Sequence, residues 1–143
     1  MKRALVALVL LLATPVYAGF NTQAFFTAYN IASTSYVYNE DAGTGANTAW
    51  VNAKGLRNKV IVVDVNTINA TSLDIRIEAR WEIGGDDANG YTTGEIFTRS
   101  YTATTDVGDI IVLPELGDEI RVGLKLTADG GAQDIDIYLA TEN

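Results

Sequence analysis

Apolar and polar residues alternate along much of this chain, most clearly from Leu73 to Ile83 (LDIRIEARWEI). In that run every odd-numbered residue is apolar and every even-numbered residue is charged. A period of two places the apolar side chains on one face of a β-strand and the charged ones on the other. The charges also alternate in sign, which favours ion pairs with the neighbouring strands of an antiparallel sheet. The run therefore predicts a strand with one buried and one wet face.

Eight further segments alternate in the same way or are rich in β-branched and aromatic residues. They are Thr22–Ile31, Ser35–Tyr38, Thr48–Ala53, Lys59–Val65, Tyr91–Thr104, Ile110–Leu113, Ile120–Thr127 and Gln133–Ala140. Lys59–Val65 is apolar on both faces at its centre, which is typical of a central strand. The link 128–132 (ADGGA) predicts a hairpin turn. We therefore predict an all-β chain, a single antiparallel β-sandwich, jelly-roll-like, of about 8–9 short strands.

The first 18 residues have the pattern of a secretory signal peptide. Lys2 and Arg3 precede the apolar run Ala4–Ala13, and small residues follow Pro15 at the positions that a signal peptidase reads, Val16 and Ala18. The apolar run is too short to span a bilayer. We therefore expect a cleaved signal over residues 1–18, one β-sandwich domain over 19–143, secretion to the extracellular space or cell surface, and no membrane span in the mature form.

Composition then excludes several classes of function. Without Lys2 and Arg3, 8 basic residues stand against 18 acidic ones, a net charge of −10, which repels nucleic acid. The chain has no His and no Cys, which removes the common nucleophilic triads and most zinc sites. A small hydrolase using paired carboxylates is a third alternative, but no pair among the acids is singled out for it. We expect no enzymatic activity.

A segment dense in Gly, Asp and Asn, Glu82–Glu95 (EIGGDDANGYTTGE), resembles a calcium loop. Aligning Gly90 with the invariant glycine of an EF-hand puts Gly85 at the first ligand position and Ile96 at the twelfth, so both anchoring ligands are missing. Turn residues joining two strands explain the same composition. Calcium is a candidate cofactor, with Asp86, Asp87 and Asn89 as its ligands, and no other cofactor is expected.

Two aromatic features remain. Trp50, with nearby tyrosines, is a weak candidate for stacking on a sugar ring, although core packing is the simpler role for a tryptophan. The segment Gly19–Ile31 is aromatic and uncharged, and it forms either a strand of its own sheet or a strand donated to a neighbouring molecule. The candidate residues of such an assembly strand are Phe25, Phe26, Tyr29 and Ile31.

These observations lead to one expectation and one alternative. The first is a secreted structural protein, the subunit of an extracellular filament, surface or matrix assembly, with copies of itself as its partner and with N-terminal strand exchange as a route to a polymer. The alternative is a secreted carbohydrate- or calcium-binding β-sandwich module.

Overall fold

The structure is a computed structural model, and it describes residues 20–40, 42, 45–46, 50–82, 91–102, 107–113, 117–129 and 131–142. Nine strands occur in these ranges: β1 (Phe20–Tyr29), β2 (Val37–Tyr38), β3 (Val51–Asn52), β4 (Arg57–Thr67), β5 (Ala70–Glu82), β6 (Tyr91–Thr102), β7 (Val107–Val112), β8 (Glu119–Asp129) and β9 (Asp134–Glu142). Within the same ranges there is no helix, and hence none with the length and hydropathy needed to cross a membrane. The predicted signal peptide lies outside the described residues.

The strands form two antiparallel sheets, which we call sheet A and sheet B. Sheet A has the order β1-β9-β4-β7, and sheet B has the order β2-β8-β5-β6, with β3 pairing beside β2 on the same edge of β8. The two sheets pack face to face, so the prediction of an all-β, sandwich-like antiparallel fold is confirmed. The predicted strands Ser35–Tyr38 and Thr48–Ala53 are both present, but only as the two-residue strands β2 and β3.

The core lies between the sheets and follows the period of two. The odd-numbered residues of β5 from Leu73 to Ala79 point inward and are fully buried, and so are Ile61, Val63 and Val65 of β4. On β1, Phe25 and Phe26 are consecutive yet both fully buried. The register with β9 shifts between Ala24 and Phe26, and such an irregularity lets adjacent residues leave strict alternation. On β8 the even-numbered residues from Ile120 to Leu126 are the buried ones, and on every strand the face opposite the core contributes to one of the two outer surfaces.

The predicted hairpin at residues 128–132 is wrong. β8 belongs to sheet B and β9 to sheet A, so this link crosses from one sheet to the other instead of joining paired neighbours. Gln133 fixes the position of this link. Its side-chain oxygen accepts a hydrogen bond from the backbone amide of Asn69 (2.7 Å), and its backbone amide donates to the side-chain oxygen of Asn30 (2.9 Å). Gly- and Asp-rich turns serve both kinds of connection, and packing decides between them.

Polar side chains join the two sheets where their edge strands β6 and β7 meet. Asp109 on β7 faces inward, opposite Val63, and forms an ion pair with Arg99 of β6 while accepting a hydrogen bond from the Tyr101 hydroxyl at 2.8 Å. Burial alone would raise the pKa of Asp109, but the hydrogen bonds from Tyr101, the Ile110 amide and Arg99 together lower it. Burial and the same carboxylate raise the pKa of Tyr101. The contact is therefore strongest with Asp109 ionised and Tyr101 neutral.

This cluster predicts a specific loss of stability in acid. A carboxylate whose pKa is lowered by folding contributes stability above its unfolded pKa, about 3.9, and that contribution is lost as the pH falls through the folded-state value. Urea unfolding measured from pH 7 to pH 2 should therefore show a shallower acid-induced loss for Asp109→Asn than for the parent chain. The exposed Asp64, changed to Asn, is the matched control and should keep the parent's profile. Identical profiles for Asp109→Asn and the parent would contradict the assignment.

Candidate functional site

The outer face of sheet A carries two adjoining rows of mostly apolar side chains. One row crosses the four strands as Ile110, Val62, Tyr138 and Ala24, and the next as Val112, Val60, Ala140 and Thr22. Directly opposite residues of antiparallel strands share a face, so these side chains lie side by side. We call these two rows the apolar face. The following row, with Gly108, Asp64 and Asp136, is polar and bounds it at one end.

The apolar face reaches solvent most strongly at the edge strand β7. Ile110 is 63% exposed and Val112 is 72% exposed. Val60, Val62 and Tyr138 are partly exposed, so the patch extends from the edge towards the middle of the sheet. A single exposed isoleucine needs no explanation, but a contiguous apolar patch of this type is a candidate interaction surface.

The outer face of sheet B has the opposite character, with charges matched in pairs. The predicted cross-strand ion pairs are confirmed: Asp74 with Lys125 (3.0 Å), Arg76 with Glu95 (2.9 Å), Glu78 with Arg121 (2.7 Å), and Arg80 with Glu119. Cations of the same face also lie over aromatic rings. We call these ion pairs, together with the rings of Tyr36, Tyr38 and Trp50, the arginine–aromatic ladder.

The ladder places cations against each of its rings. The Arg76 guanidinium carbon lies 4.0 Å from the centre of the Tyr36 ring, and that of Arg121 lies 3.9 Å from the centre of the Tyr38 ring. Both Arg80 (4.5 Å) and Arg121 (4.7 Å) lie over the Trp50 ring. Distances below about 6 Å are those of cation–π contacts. The aromatic rings proposed for stacking on a sugar are therefore already in contact with guanidinium groups.

Glu78 is at the centre of the ladder and is buried. One of its carboxylate oxygens accepts the Tyr38 hydroxyl at 2.6 Å, and the other accepts two guanidinium nitrogens of Arg121 at 2.9 and 2.7 Å. Burial, and after it the hydrogen bond to Glu78, raise the pKa of Tyr38, so the phenol stays a donor. The Tyr38 ring lies against Gly123, where an added Cβ would be 2.8 Å from a ring carbon. The ring can lie flat on β8 because residue 123 has no side chain.

The four candidate residues of the N-terminal assembly strand lie in or near the core of their own chain. Phe25, Phe26 and Ile31 are buried, and the ring of Tyr29 lies 4.9 Å from that of Phe26. β1 pairs along its length with β9 of the same chain. Its other edge is partly covered as well, because the Thr27 amide donates to the Gly45 carbonyl at 2.7 Å. β1 is thus an ordinary strand of sheet A in this structure.

The candidate calcium ligands Asp86, Asp87 and Asn89 lie outside the described residues, and their prediction stays a prediction. In the described ranges, no group of three or more acidic side chains is placed to hold a metal ion. Trp50 lies with Tyr36 and Tyr38 on the outer face of sheet B, and its role in stacking on a sugar stays a prediction.

The sequence analysis did not single out the residues of the apolar face. The signal was present, because Val60 and Val62 of KVIVVDV alternate with the buried Ile61 and Val63, and Ile110 and Val112 flank the buried Ile111. Apolar residues on both faces of a strand were attributed to a central position in the sheet. In the structure, β4 is central, but the outer face of its sheet is open to solvent.

Comparison of the chain with protein-family models, with curated proteins and with solved structures finds no match.

Proposed function

We propose that this chain is a secreted, non-enzymatic structural protein that associates with copies of itself through the apolar face of sheet A. The observation that carries the proposal is the pair of apolar rows that ends in Ile110 and Val112, which are 63% and 72% exposed. Burying exposed apolar surface contributes about 25 cal/mol per Å², so water is an unfavourable environment for this face. The face is bounded at one end by a polar row, and protein interfaces usually combine an apolar centre with a polar rim.

A second copy is the occupant that fits the geometry of the face. Apart from Tyr138, the side chains of the two rows are β-branched or small, and two sheets that pack face to face generally lie about 10 Å apart. The acidic row with Asp64 and Asp136 bounds the face without entering it. Identical faces related by a twofold axis would bring apolar rows onto apolar rows.

The outer face of sheet B, which carries the arginine–aromatic ladder, is less suitable for association than the apolar face. Its ion pairs and cation–π contacts are formed within the chain, so a partner would have to replace interactions that already exist. The strand edges are less suitable as well, because Asp109 and Arg99 point inward on β7 and β6, and inward charges on edge strands oppose edge-to-edge pairing. These contrasts favour the face of sheet A over the edges of either sheet.

We also propose the jelly-roll form of the sandwich. Successive strands pass between the sheets at almost every connection, and counting β2 and β3 as one strand gives eight strands in the orders 1-8-3-6 and 2-7-4-5. That order is the one of two interleaved Greek keys. Jelly rolls include both capsid and lectin domains, so the topology does not choose between assembly and carbohydrate binding.

The proposal predicts that association depends on Ile110 and Val112. Sedimentation velocity of residues 19–143 should show an associated species whose fraction rises with protein concentration. The double variant Ile110→Lys/Val112→Lys should remain monomeric at the same concentrations, because two ammonium groups would have to be buried in the contact. Its urea unfolding midpoint should stay close to that of the parent, since both side chains are exposed.

The matched control places two lysines on the other sheet at exposed positions of its edge strand, Thr98→Lys/Thr102→Lys. It changes the net charge equally, so it should associate as the parent does. A parent chain that stays monomeric at high concentration would refute the proposal. Negative-stain images of the same samples test for polymers. Polysaccharide binding that is lost in Trp50→Ala, with no association, would favour the carbohydrate-binding alternative.

A further inference from the structure

A pocket of about 350 Å³ opens at the end of the sandwich where the β3–β4 turn, the start of β4 and the end of β5 meet the segment before β8. Its lining consists of Gly55, Leu56, Arg57, Lys59, Trp81, Gly117 and Asp118. The pocket lies at the end of the sheets and shares no residue with the apolar face. It is large enough for a ligand of the size of one sugar ring or smaller, near the lower end of the usual range for ligand sites.

Lys59 is the unusual residue of this pocket, because it is 93% buried. Its side chain points inward because it has the same parity along β4 as the buried Ile61 and Val63. Among the described residues, no carboxylate or hydrogen-bond acceptor pairs with its ammonium group. Lysine commonly buries its aliphatic stem while its ammonium group keeps contact with water. The Lys59 nitrogen is not among the fully buried atoms that lack a partner, and Lys59 lines the pocket, so the ammonium group is available to an anion that enters the cavity.

The charges around Lys59 support the same conclusion. Arg57 also lines the pocket, and no carboxylate among the described residues pairs with its guanidinium group. The nearby acids have other partners: Glu142 accepts a hydrogen bond from Asn58, and Asp118 lies 3.7 Å from the ammonium of Lys54. Lys54, Arg57 and Lys59 are three of the eight basic residues of the chain after residue 18. Because Lys54 is paired with Asp118, Arg57 and Lys59 are the cations of this pocket that are available to an anion.

We propose that this pocket binds a small molecule through an oxyanion group, a carboxylate or a sulfate, that pairs with Lys59 and Arg57. Both side chains donate charge-assisted hydrogen bonds, which are about twice as strong as neutral ones. The indole of Trp81 and the side chain of Leu56 form an apolar wall against which the uncharged part of the ligand lies. An acidic sugar has both parts, a charged group and a flat ring face. This site does not depend on the proposed self-association.

Fluorescence of Trp81 gives a direct test. Trp50→Phe leaves Trp81 as the one tryptophan of the chain, and its emission is followed as glucuronate, sulfate or glucose is added at constant ionic strength. We expect a saturable change with glucuronate and none with glucose. Saturation with sulfate as well would assign the site to oxyanions in general, whereas saturation with glucuronate alone would show that the ring contact is also needed. No saturable response to either anion would overturn the proposal.

Variants locate the binding group. Lys59→Met keeps the length of the side chain and should weaken glucuronate binding about tenfold or more, the loss expected for one charge-assisted hydrogen bond. Lys125→Met removes the same charge from the outer face of sheet B and should bind as the parent does. Arg57→Gln, at an exposed position, gives a second reading that does not depend on a core substitution. Equal affinity in Lys59→Met and Lys125→Met would overturn the assignment to this pocket.

Discussion

Replacing Glu78 with alanine is expected to lower the free energy of unfolding by about 2–3 kcal/mol, the cost of leaving buried donors without their charged acceptor. The side chain of Glu78 is 11% exposed, and that of its partner Arg121 is 19% exposed. Alanine would leave two guanidinium nitrogens of Arg121 and the Tyr38 hydroxyl without their acceptor, while Arg121 would keep its ion pair with Glu40. Urea unfolding, followed by tryptophan fluorescence, measures the loss as a fall in midpoint at constant slope.

A neighbouring carboxylate provides the control for this prediction. Glu95 lies directly opposite Glu78 on β6 and pairs with Arg76, but its side chain is 46% exposed. Glu95→Ala should cost less than about 1 kcal/mol, because exposed ion pairs contribute little. The triple variant Glu40→Gln/Glu78→Leu/Arg121→Met should recover much of the loss, since it removes Arg121 together with both of its carboxylate partners. Equal costs for the two glutamates would show that burial of Glu78 does not govern the effect.

Gly117→Ala is expected to cost about 2–4 kcal/mol, by adding backbone strain to a steric overlap. Gly117 has a φ of +67°, in the left-handed region that residues with a Cβ rarely adopt. A Cβ built there lies 2.8 Å from the Cβ of Ala79 and 3.0 Å from the carbonyl oxygen of Arg80. The backbone and a buried methyl group cannot move aside as a flexible side chain can. The measurement is again the free energy of unfolding in urea.

Gly55 separates the two contributions. Its φ of +72° is nearly the same, but an added Cβ would have no atom within 4 Å. Gly55→Ala should therefore show the backbone cost alone, about 1 kcal/mol. If Gly117→Ala were no more destabilising than Gly55→Ala, the close approach of residue 117 to β5 would be wrong. Both glycines line the Lys59 pocket, so these variants also report how rigidly its walls are held.

The strands were predictable from the sequence because each face of a strand is read directly from a period of two. The long alternation of β5 predicted both its buried face and the ion pairs of Arg76 and Glu78 on its outer face. The pattern does not say which sheet a strand joins. The link 128–132 was therefore predicted as a hairpin, although packing sends β8 and β9 to different sheets.

The candidate surfaces were less predictable, because the exposure of a residue depends on whether other parts of the chain pack over it. Val60 and Val62 were predicted to lie in a central strand, and β4 does have a neighbour on each side. The sequence pattern does not show whether another layer covers the outer face of that sheet. Lys59 carried a readable signal, since it has the parity of the buried Ile61. Its lack of a carboxylate partner among the described residues is a property of three-dimensional packing that no local pattern contains.

The inward pair of Arg99 and Asp109 has a consequence for the size of any assembly. The β6 and β7 edges are disfavoured for pairing. A twofold contact through the apolar face would bury that face on both molecules, so a third molecule could not bind to it. Association through this surface alone would therefore stop at a dimer. Growth beyond two subunits would require a second, head-to-tail contact, and exchange of β1 between molecules is the kind of contact that would supply one.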